Sequence, residues 1–190
     1  MISRVRIPLP VDAAGLAADV AGLSAREWVP HFNTAYYEGE WSGVALRSSG
    51  GAPLALYPDP SADAGWQDTE ALGRCPAIAA TLAGFECDLQ SVRLLALGPA
   101  ARIRTHRDYR LGYENGELRI HIPVTTNPDV EFVHDGERVA MAPGEAWYLD
   151  FNLPHSVANP GTSRRVHLLI DCVLNPWLDR LLSEGARAQP

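Results

Sequence analysis

Turn-forming residues interrupt the second half of the chain at short intervals, and this punctuation is the feature that most restricts its fold. From Ser91 onward, turn signals such as Asn115-Gly116 and Pro160-Gly161 separate eight short segments of apolar or alternating residues. These segments are Val92–Leu97, Arg102–His106, Leu118–Val124, Val130–His134, Arg138–Met141, Trp147–Phe151, His155–Asn159 and Arg165–Val173. Short strands with such regular turns favour a sandwich or jelly roll over a βαβ arrangement. We therefore predict a mainly β fold, a jelly roll or double-stranded β-helix.

Helical patterns flank this β region on both sides. Asp12–Leu23 is rich in alanine, with leucines at helical spacing. Asp68–Leu82 has apolar residues at helical intervals, and we expect its first residue to be the N-cap and Gly84 to end it. A closing helix is predicted from Trp177 to Leu182, with Pro176 at its start.

A hairpin is expected between the two N-terminal helices. Two apolar runs, Val44–Leu46 and Leu54–Tyr57, lie on either side of the turn cluster Ser48–Gly51. A chain of 190 residues fits one domain with one core. We predict a single domain over residues 1–190, in which residues 1–90 give helical and hairpin support and residues 91–175 form the jelly-roll core.

Charge and cysteine content argue against several classes of protein. The chain has 16 basic and 23 acidic residues, a formal charge of −7, and its basic residues are scattered, which argues against a nucleic-acid partner. Its three cysteines show no CxxC spacing, so neither a disulfide framework nor a thiolate zinc site is indicated. Pro8 and Pro10 interrupt the apolar run that a signal peptide needs, and no later run approaches a membrane span. We expect a cytoplasmic protein without membrane contact.

His106, Asp108 and His155 form the strongest chemical signal in the sequence. Residues two apart on a strand project from the same face, so His106 and Asp108 can bind one ion together. His155 opens a later predicted strand, and a roll would bring it to the first pair. Two imidazoles and one carboxylate leave other metal positions open, an arrangement used by non-haem Fe(II) oxygenases. An isolated His-x-Asp pair is common by chance, so the predicted site depends on the predicted roll.

Arginine and histidine alternate on two of the predicted strands. Arg165 follows His155 by ten residues, and its planar guanidinium suits bidentate binding of a carboxylate. Arg119 and His121 show the same Arg-x-His pattern as Arg165 and His167. Charged residues of the last strand share one face and aliphatic residues share the other, and the sequence leaves open which face is exposed. A surface arginine on an ordinary strand would show the same pattern.

Four stretches of the chain carry a family resemblance. They are HRD at His106–Asp108, ELRIHIPV at Glu117–Val124, PGEAWYLDFNLPHSVANPG at Pro143–Gly161 and RRVHLLIDC at Arg164–Cys172. In these stretches the chain resembles the aspartyl/asparaginyl β-hydroxylase family of Fe(II)- and 2-oxoglutarate-dependent oxygenases, whose bacterial members include L-proline cis-hydroxylases. The presence of Asp108 makes it more similar to the bacterial branch that has the full set of two histidines and one aspartate.

The resemblance implies both a reaction and the residues that perform it. The reaction is hydroxylation of an unactivated C–H bond of an amino acid or small peptidyl substrate by O2, with release of succinate and CO2. The implied site residues are His106, Asp108 and His155 for Fe(II), with Arg165, Arg119 and His121 for the co-substrate 2-oxoglutarate.

Substrate contacts are the least specified part of the sequence. Asn33–Trp41 and Tyr109–Tyr113 are aromatic and polar segments near the predicted mouth of the roll, where they could form a lid. Arginines that could hold a substrate carboxylate are Arg104, Arg107 and Arg110. Three other aromatic residues are interpreted as core rather than substrate contacts, namely Trp147, Tyr148 and Phe151. Two further histidines are interpreted as ordinary surface or loop residues, namely His31 and His134.

Two other classes of protein stay open at this point. A cupin-like binding or sensor protein would hold a metal or ligand in a similar roll without turnover. A metal-dependent isomerase or epimerase would use the ion as a Lewis acid, without O2 or 2-oxoglutarate. A carrier protein that delivers a bound peptide is a further partner, which the net charge neither supports nor excludes.

Overall fold

The computed structural model describes residues 2–56 and 64–188. The strands in these residues are β1 (Arg4–Ile7), β2 (Val29–Pro30), β3 (Tyr37–Glu38), β4 (Trp41–Ser49), β5 (Trp66–Asp68), β6 (Leu89–Leu97), β7 (Ala101–His106), β8 (Glu117–Thr125), β9 (Glu131–His134), β10 (Glu137–Arg138), β11 (Ala146–Leu149), β12 (His155–Asn159) and β13 (Arg165–Val173). The α-helices are α1 (Ala13–Gly22), α2 (Pro76–Ala83) and α3 (Pro176–Ala188). Short 3-10 turns lie at Ala25–Glu27, Thr34–Tyr36, Leu72–Arg74 and Tyr113–Asn115.

The strands form two antiparallel sheets. The larger sheet has the order β1-β11-β8-β13-β6-β4-β2, with β5 paired to β4 at one edge. The smaller sheet has the order β10-β9-β12-β7-β3. Neighbouring strands come from distant parts of the chain, as β8 and β13 do, and this is the connectivity of a roll rather than a meander. The predicted mainly β jelly roll with flanking helices is therefore confirmed.

The two faces of β13 lie in different environments, which answers the question that the sequence left open. Leu168 and Ile170 belong to the apolar cluster that also contains Leu16 of α1 and Ile78 of α2. Leu169 belongs to a second cluster, which contains side chains from both sheets. The aliphatic face of the strand therefore packs on the helices, and the face with the charged residues points between the sheets.

The helices cover the outer face of the larger sheet. Asp12 caps α1 by accepting a hydrogen bond from the Gly15 backbone N–H at 2.9 Å, and α1 covers the predicted range. The buried Asp19 carboxylate accepts the Ile78 backbone N–H at 2.8 Å and so fixes α1 against α2. The closing helix starts at Pro176 as predicted, but it continues to Ala188. None of the helices in the described ranges is long and apolar enough to cross a membrane.

Three predicted elements differ from the structure. Asp68 is not a helix N-cap, because it ends β5 and its carboxylate binds Arg47; α2 begins only at Pro76, whose ring presets the helical φ angle. The hairpin partner of β4 after the Ser48–Gly51 turn cluster is β5 rather than a run starting at Leu54, which is exposed and lies in a turn. Tyr57, the end of that predicted run, lies outside the described residues. The predicted strand Arg138–Met141 is reduced to the two residues of β10.

Candidate functional site

A cavity of about 250 Å³ between the two sheets brings the selected residues together. Its wall includes all six residues that the sequence pointed to, namely His106, Asp108, His155, Arg119, His121 and Arg165. The two sheets contribute different kinds of side chain to this wall. The possible metal ligands His106 and His155 come from β7 and β12 of the smaller sheet. The arginines Arg119 and Arg165 come from β8 and β13 of the larger sheet.

His106, Asp108 and His155 lie close enough to hold one metal ion. One potential ligand atom from each residue falls within 4.8 Å of the other two. Strand pairing explains the approach, because His155 at the start of β12 is the register partner of His106 at the end of β7. His106 Nε2 lies 3.8 Å from Asp108 Oδ1. The Asp108 backbone N–H donates to the Phe151 carbonyl at 2.9 Å, which fixes the segment just after β7.

Backbone carbonyls orient both imidazoles. His106 Nδ1 lies 2.8 Å from the Arg104 carbonyl, and His155 Nδ1 lies 3.1 Å from the Leu153 carbonyl. A carbonyl can only accept, so each Nδ1 carries the proton and each Nε2 is left with its lone pair toward the cavity. Burial, with a smaller effect of His106, lowers the pKa of His155 to about 4, which keeps this ring neutral at pH 7. Neutral imidazoles and a carboxylate suit a divalent transition metal.

A chain of buried ion pairs runs behind the candidate ligands. Arg119 donates through Nη1 to Asp108 Oδ2, and its Nε and Nη2 donate to the two oxygens of Asp171 at 2.6 and 3.0 Å. Arg93 Nη1 reaches Asp171 Oδ2 at 3.0 Å and Ser91 Oγ at 2.6 Å. Burial raises the pKa of Asp171, but Arg119 and Arg93 outweigh that effect and lower it to about 2. Asp108 is thus held by a guanidinium that is itself fixed on its other side.

The pKa of Asp108 follows the same balance of effects. Burial raises the pKa of Asp108, but the electrostatic effects of Arg119, His155 and His106 lower it by a larger amount. The net shift of the pKa is downward. The carboxylate is therefore ionised at neutral pH, which is the form that binds a metal.

Arg165 is a buried cation in the wall of the same cavity. Its side chain is 3% exposed, and its Nη2 lies 2.8 Å from His167 Nδ1. Among the described residues no carboxylate forms an ion pair with it, and its Nε has no hydrogen-bond partner. Burial lowers the pKa of Arg165 to about 9, which leaves it charged at pH 7. A buried cation without a partner anion is costly, and this site suits an anionic ligand.

His121 is a buried member of the same cavity wall. Its ring stacks on Phe151 with centroids 4.8 Å apart, and its Nδ1 is 3.4 Å from His167 Nδ1. Its buried Nε2 has no hydrogen-bond partner in the described part of the chain. Burial, followed by the charge of Arg165, holds the pKa of His121 well below its usual range, so this ring is a neutral polar group of the wall.

A family model supplies the decisive comparison. The model for aspartyl/asparaginyl beta-hydroxylase matches residues 15–175. The chain belongs to this family. L-proline cis-4-hydroxylase of Rhizobium meliloti (strain 1021) is 28% identical in an alignment of 176 positions that covers 84% of this chain and 57% of that protein. The chain therefore spans little more than half the length of this curated relative.

Two solved structures show that this aspartyl/asparaginyl β-hydroxylase family member shares its fold with other proteins. A prolyl-4-hydroxylase of Pseudomonas putida has a TM-score of 0.52 at 17% identity, covering 91% of this chain and 93% of that chain. A non-haem alpha-ketoglutarate-dependent epimerase from nogalamycin biosynthesis has a TM-score of 0.57 at 17% identity, covering 90% and 78%. At this identity the likeness concerns the fold.

The sequence interpretations of two histidines of this family member need correction. His31 and His134 are not surface histidines, because they are 5% and 0% exposed, although His31 does lie in the loop after β2. His31 stacks on Trp41 with centroids 3.4 Å apart and lines the cavity. Phe151 is buried as predicted, but it also forms cavity wall. Tyr148 is buried in the core, where its hydroxyl accepts the Tyr113 backbone N–H at 2.8 Å.

The mouth of the cavity carries exposed aromatic residues. Phe32 and Tyr36 line it and are 71% and 44% exposed, and Tyr109, directly after the candidate ligands, is 79% exposed. Of the arginines considered for substrate binding, Arg104 pairs with Glu38 on the outer surface. Arg107 lines the cavity, and its Nη1 donates to the Asn152 carbonyl at 2.7 Å.

Sequence reasoning missed Arg93 and Asp171 as parts of the site. Arg93 is 1% exposed and lines the cavity, and Asp171 joins it to Arg119. The sequence did contain a signal for Arg93, which is the one charged residue in the apolar run VRLLAL of β6. A charged residue in such a run is rarely buried unless it has a partner, so its position indicates a buried ion pair.

Proposed function

We propose that this protein is an Fe(II)- and 2-oxoglutarate-dependent dioxygenase that hydroxylates an unactivated C–H bond of an amino acid or small peptidyl substrate. The observation that carries the proposal is one cavity whose wall contains three residues able to hold a metal ion and a buried arginine without a carboxylate partner among the described residues. Family membership supports the same class of reaction. The proposed unit is a single oxygenase domain over residues 1–190, located in the cytoplasm.

The candidate ligands His106, Asp108 and His155 would hold the iron. With 2-oxoglutarate and O2 bound, Fe(II) supplies the oxidation that yields succinate, CO2 and a hydroxylated product. The ligand set leaves the remaining metal positions for these small molecules. The backbone carbonyls that hold Nδ1 of each histidine keep both rings in the metal-binding orientation before the ion arrives.

Arg165 would bind the far carboxylate of 2-oxoglutarate. The guanidinium is preorganised by His167 and lacks a carboxylate among the described residues, so the co-substrate would neutralise a charge that folding has already buried. His121 lies beside it, and its unpartnered Nε2 is available to the same ligand. Arg119 donates one hydrogen bond to Asp108 and two to Asp171, so we assign it to positioning the metal-binding carboxylate in addition to any co-substrate contact.

The apolar part of the wall would keep water away from the reaction. Phe132, Phe151 and Leu169 line the cavity, and all three are buried. Exclusion of water strengthens each electrostatic contact inside the cavity and limits side reactions.

Anaerobic titration with Fe(II) and 2-oxoglutarate tests the proposal. We expect a weak visible charge-transfer band in the native protein, its loss in His106→Ala, and a large increase in the 2-oxoglutarate concentration needed in Arg165→Ala. Arg47→Ala is the control, because Arg47 binds Asp68 away from the cavity and should leave the band unchanged. A folded, metal-loaded protein without the band would refute the oxygenase and favour a cupin-like binding protein or a metal-dependent isomerase.

A further inference from the structure

Two of the three cysteines lie beside each other where β6 and β13 pair. Cys172 is the register partner of Leu89, the first residue of β6, and Cys87 precedes that strand by two residues. The Val173 backbone N–H donates to the Asp88 carbonyl at 2.9 Å, so one hydrogen bond joins the residues directly after the two cysteines. Both cysteines are free thiols, and the Cys172 thiol donates a hydrogen bond to the Cys87 sulfur. Strand pairing therefore holds together two sulfur atoms that are far apart in the sequence.

The two thiols differ in exposure and in acidity. Cys172 is 0% exposed and packs in the apolar cluster on the helix side of β13, whereas Cys87 is half-buried and lines an open cavity of about 740 Å³ beside α2. The hydrogen bond from Cys172 lowers the pKa of Cys87, against the opposing effects of burial and Asp88. The same bond, followed by burial, raises the pKa of Cys172 well above its usual range. The thiolate is the nucleophile in cysteine chemistry, so Cys87 is the reactive member of the pair.

We propose that Cys87 and Cys172 are a modification site, at which hydrogen peroxide forms a reversible disulfide. The Cys87 thiolate attacks one peroxide oxygen, the O–O bond breaks, and the released hydroxide takes a proton to become water, which leaves a sulfenic acid on Cys87. The Cys172 thiol then attacks that sulfur, and its proton leaves with the sulfenic hydroxyl as a second water. Both sulfurs are oxidised, and one peroxide is reduced to two waters.

The surroundings of Cys87 favour a small neutral oxidant. Glu86 and Asp88 flank it in the sequence, and both are exposed. Their negative charges repel an anionic oxidant such as glutathione disulfide but have little effect on hydrogen peroxide. The open cavity beside Cys87 gives such a molecule access to the sulfur.

Cys75 lacks these features and is an internal control. It is 0% exposed within the apolar cluster. Burial, followed by the negative charges of Asp19 and Glu27, raises its pKa to about 11. A thiol that is buried and remains protonated reacts slowly with peroxide, so Cys75 should stay reduced while the pair is oxidised.

The disulfide would stabilise the fold without entering the cavity between the sheets. Asp171 and Cys172 are neighbours on β13, but Asp171 joins the buried ion pairs, whereas Cys172 packs with the apolar cluster. Neither Cys87 nor Cys172 lines the cavity that contains the candidate metal ligands, so the proposal does not depend on the proposed function. A crosslink between distant residues restricts the unfolded chain, and the oxidised protein should therefore unfold at a higher temperature.

Peroxide treatment of the full chain tests this proposal. The protein is reduced, treated with a chelator to prevent iron-catalysed oxidation, exposed to increasing hydrogen peroxide at pH 7, and alkylated before peptide mapping. We expect one intramolecular disulfide between Cys87 and Cys172, while Cys75 is alkylated only after unfolding. The thermal midpoint should rise on oxidation and return to its first value with dithiothreitol.

Variants then separate the two roles. Cys172→Ser should leave a sulfenic acid on Cys87 that dimedone captures, whereas Cys87→Ser should slow the oxidation of Cys172 by about 10-fold or more. Cys75→Ser is the control and should still form the disulfide; the peptide map of the native protein gives the same answer if a variant does not fold. Dimers linked through Cys87, sulfinic acid on Cys87 with Cys172 still reduced, or oxidation of Cys75 at the same rate would overturn the proposal.

Discussion

Asp171→Asn should destabilise the fold, although Asp171 does not contact any of the three proposed metal ligands directly. The carboxylate is 4% exposed and binds two buried guanidiniums, so the amide removes the counter-charge that Arg93 and Arg119 share. Its pKa, lowered from 3.8 to about 2, corresponds to roughly 2 kcal/mol of stability. Removing one partner of a buried ion pair costs about 3–5 kcal/mol, and asparagine still accepts hydrogen bonds. We therefore expect a loss of about 3 kcal/mol.

The pH dependence gives the same prediction a second readout. A carboxylate with a lowered folded-state pKa stabilises the protein above its unfolded pKa, and this contribution disappears as the pH falls from about 4 to about 2. The free energy of unfolding of the native protein should decrease across this window more steeply than that of Asp171→Asn. Urea unfolding followed by circular dichroism, at pH 7 and then at steps down to pH 2, measures both quantities.

Matched variants separate this effect from a general loss of charge. Asp68→Asn makes the same chemical change in an ion pair with Arg47 whose carboxylate is 59% exposed, and it should cost under about 1 kcal/mol. Arg93→Met combined with Asp171→Asn removes both partners and should recover part of the loss. A loss below about 1 kcal/mol for Asp171→Asn alone, with an unchanged acid limb, would refute the reasoning.

Two further changes should act in opposite directions. Arg165→Met should stabilise the ligand-free protein by about 1 kcal/mol or more, because it removes a buried cation with no carboxylate partner in the described residues. Thermal unfolding should therefore show a higher midpoint without ligand and no further increase when 2-oxoglutarate is added. A lower midpoint would contradict this reasoning. Gly39→Ala should cost about 2 kcal/mol or more in urea unfolding, because φ is +82° and the new Cβ would lie 2.7 Å from Ala101 Cβ. Gly116→Ala, at φ +74° in open space, is its control and should cost about 1 kcal/mol; equal losses would count against the close-contact argument.

Local rules were enough to predict most strands after Ser91 and to select the triad. Turn chemistry marks where strands end, and period-two alternation predicted that His106 and Asp108 share one face. The two residues do meet, but β7 ends at His106, and the Phe151 carbonyl fixes the segment that contains Asp108. The prediction of a helix that starts at Asp68 was wrong because contacts with a distant strand determine the structure there. Its residues suit an N-cap, but pairing of β5 with β4 satisfies the backbone there, and Arg47 binds the side chain.

Burial of charge could not be predicted from the same rules. A strand face with Arg165, His167 and Asp171 resembles a solvent face, and only the second sheet packed over it makes it an interior. The ion pair between Arg119 and Asp171 depends on their being register partners on β8 and β13, which are far apart in the chain. Register is a property of the folded sheet, and the sequence pattern of either strand alone does not contain it.

β13 serves the stability of the fold and the chemistry of the cavity through alternate residues, and this limits how the protein can be adapted. A change at Leu168 or Ile170 disturbs the packing of the helices, whereas a change on the opposite face alters the charges of the cavity. New substrate preferences are therefore easier to obtain at the rim, where Phe32 and Tyr109 are mostly exposed and contribute little to the core. An engineer would randomise the rim first and leave the strand untouched.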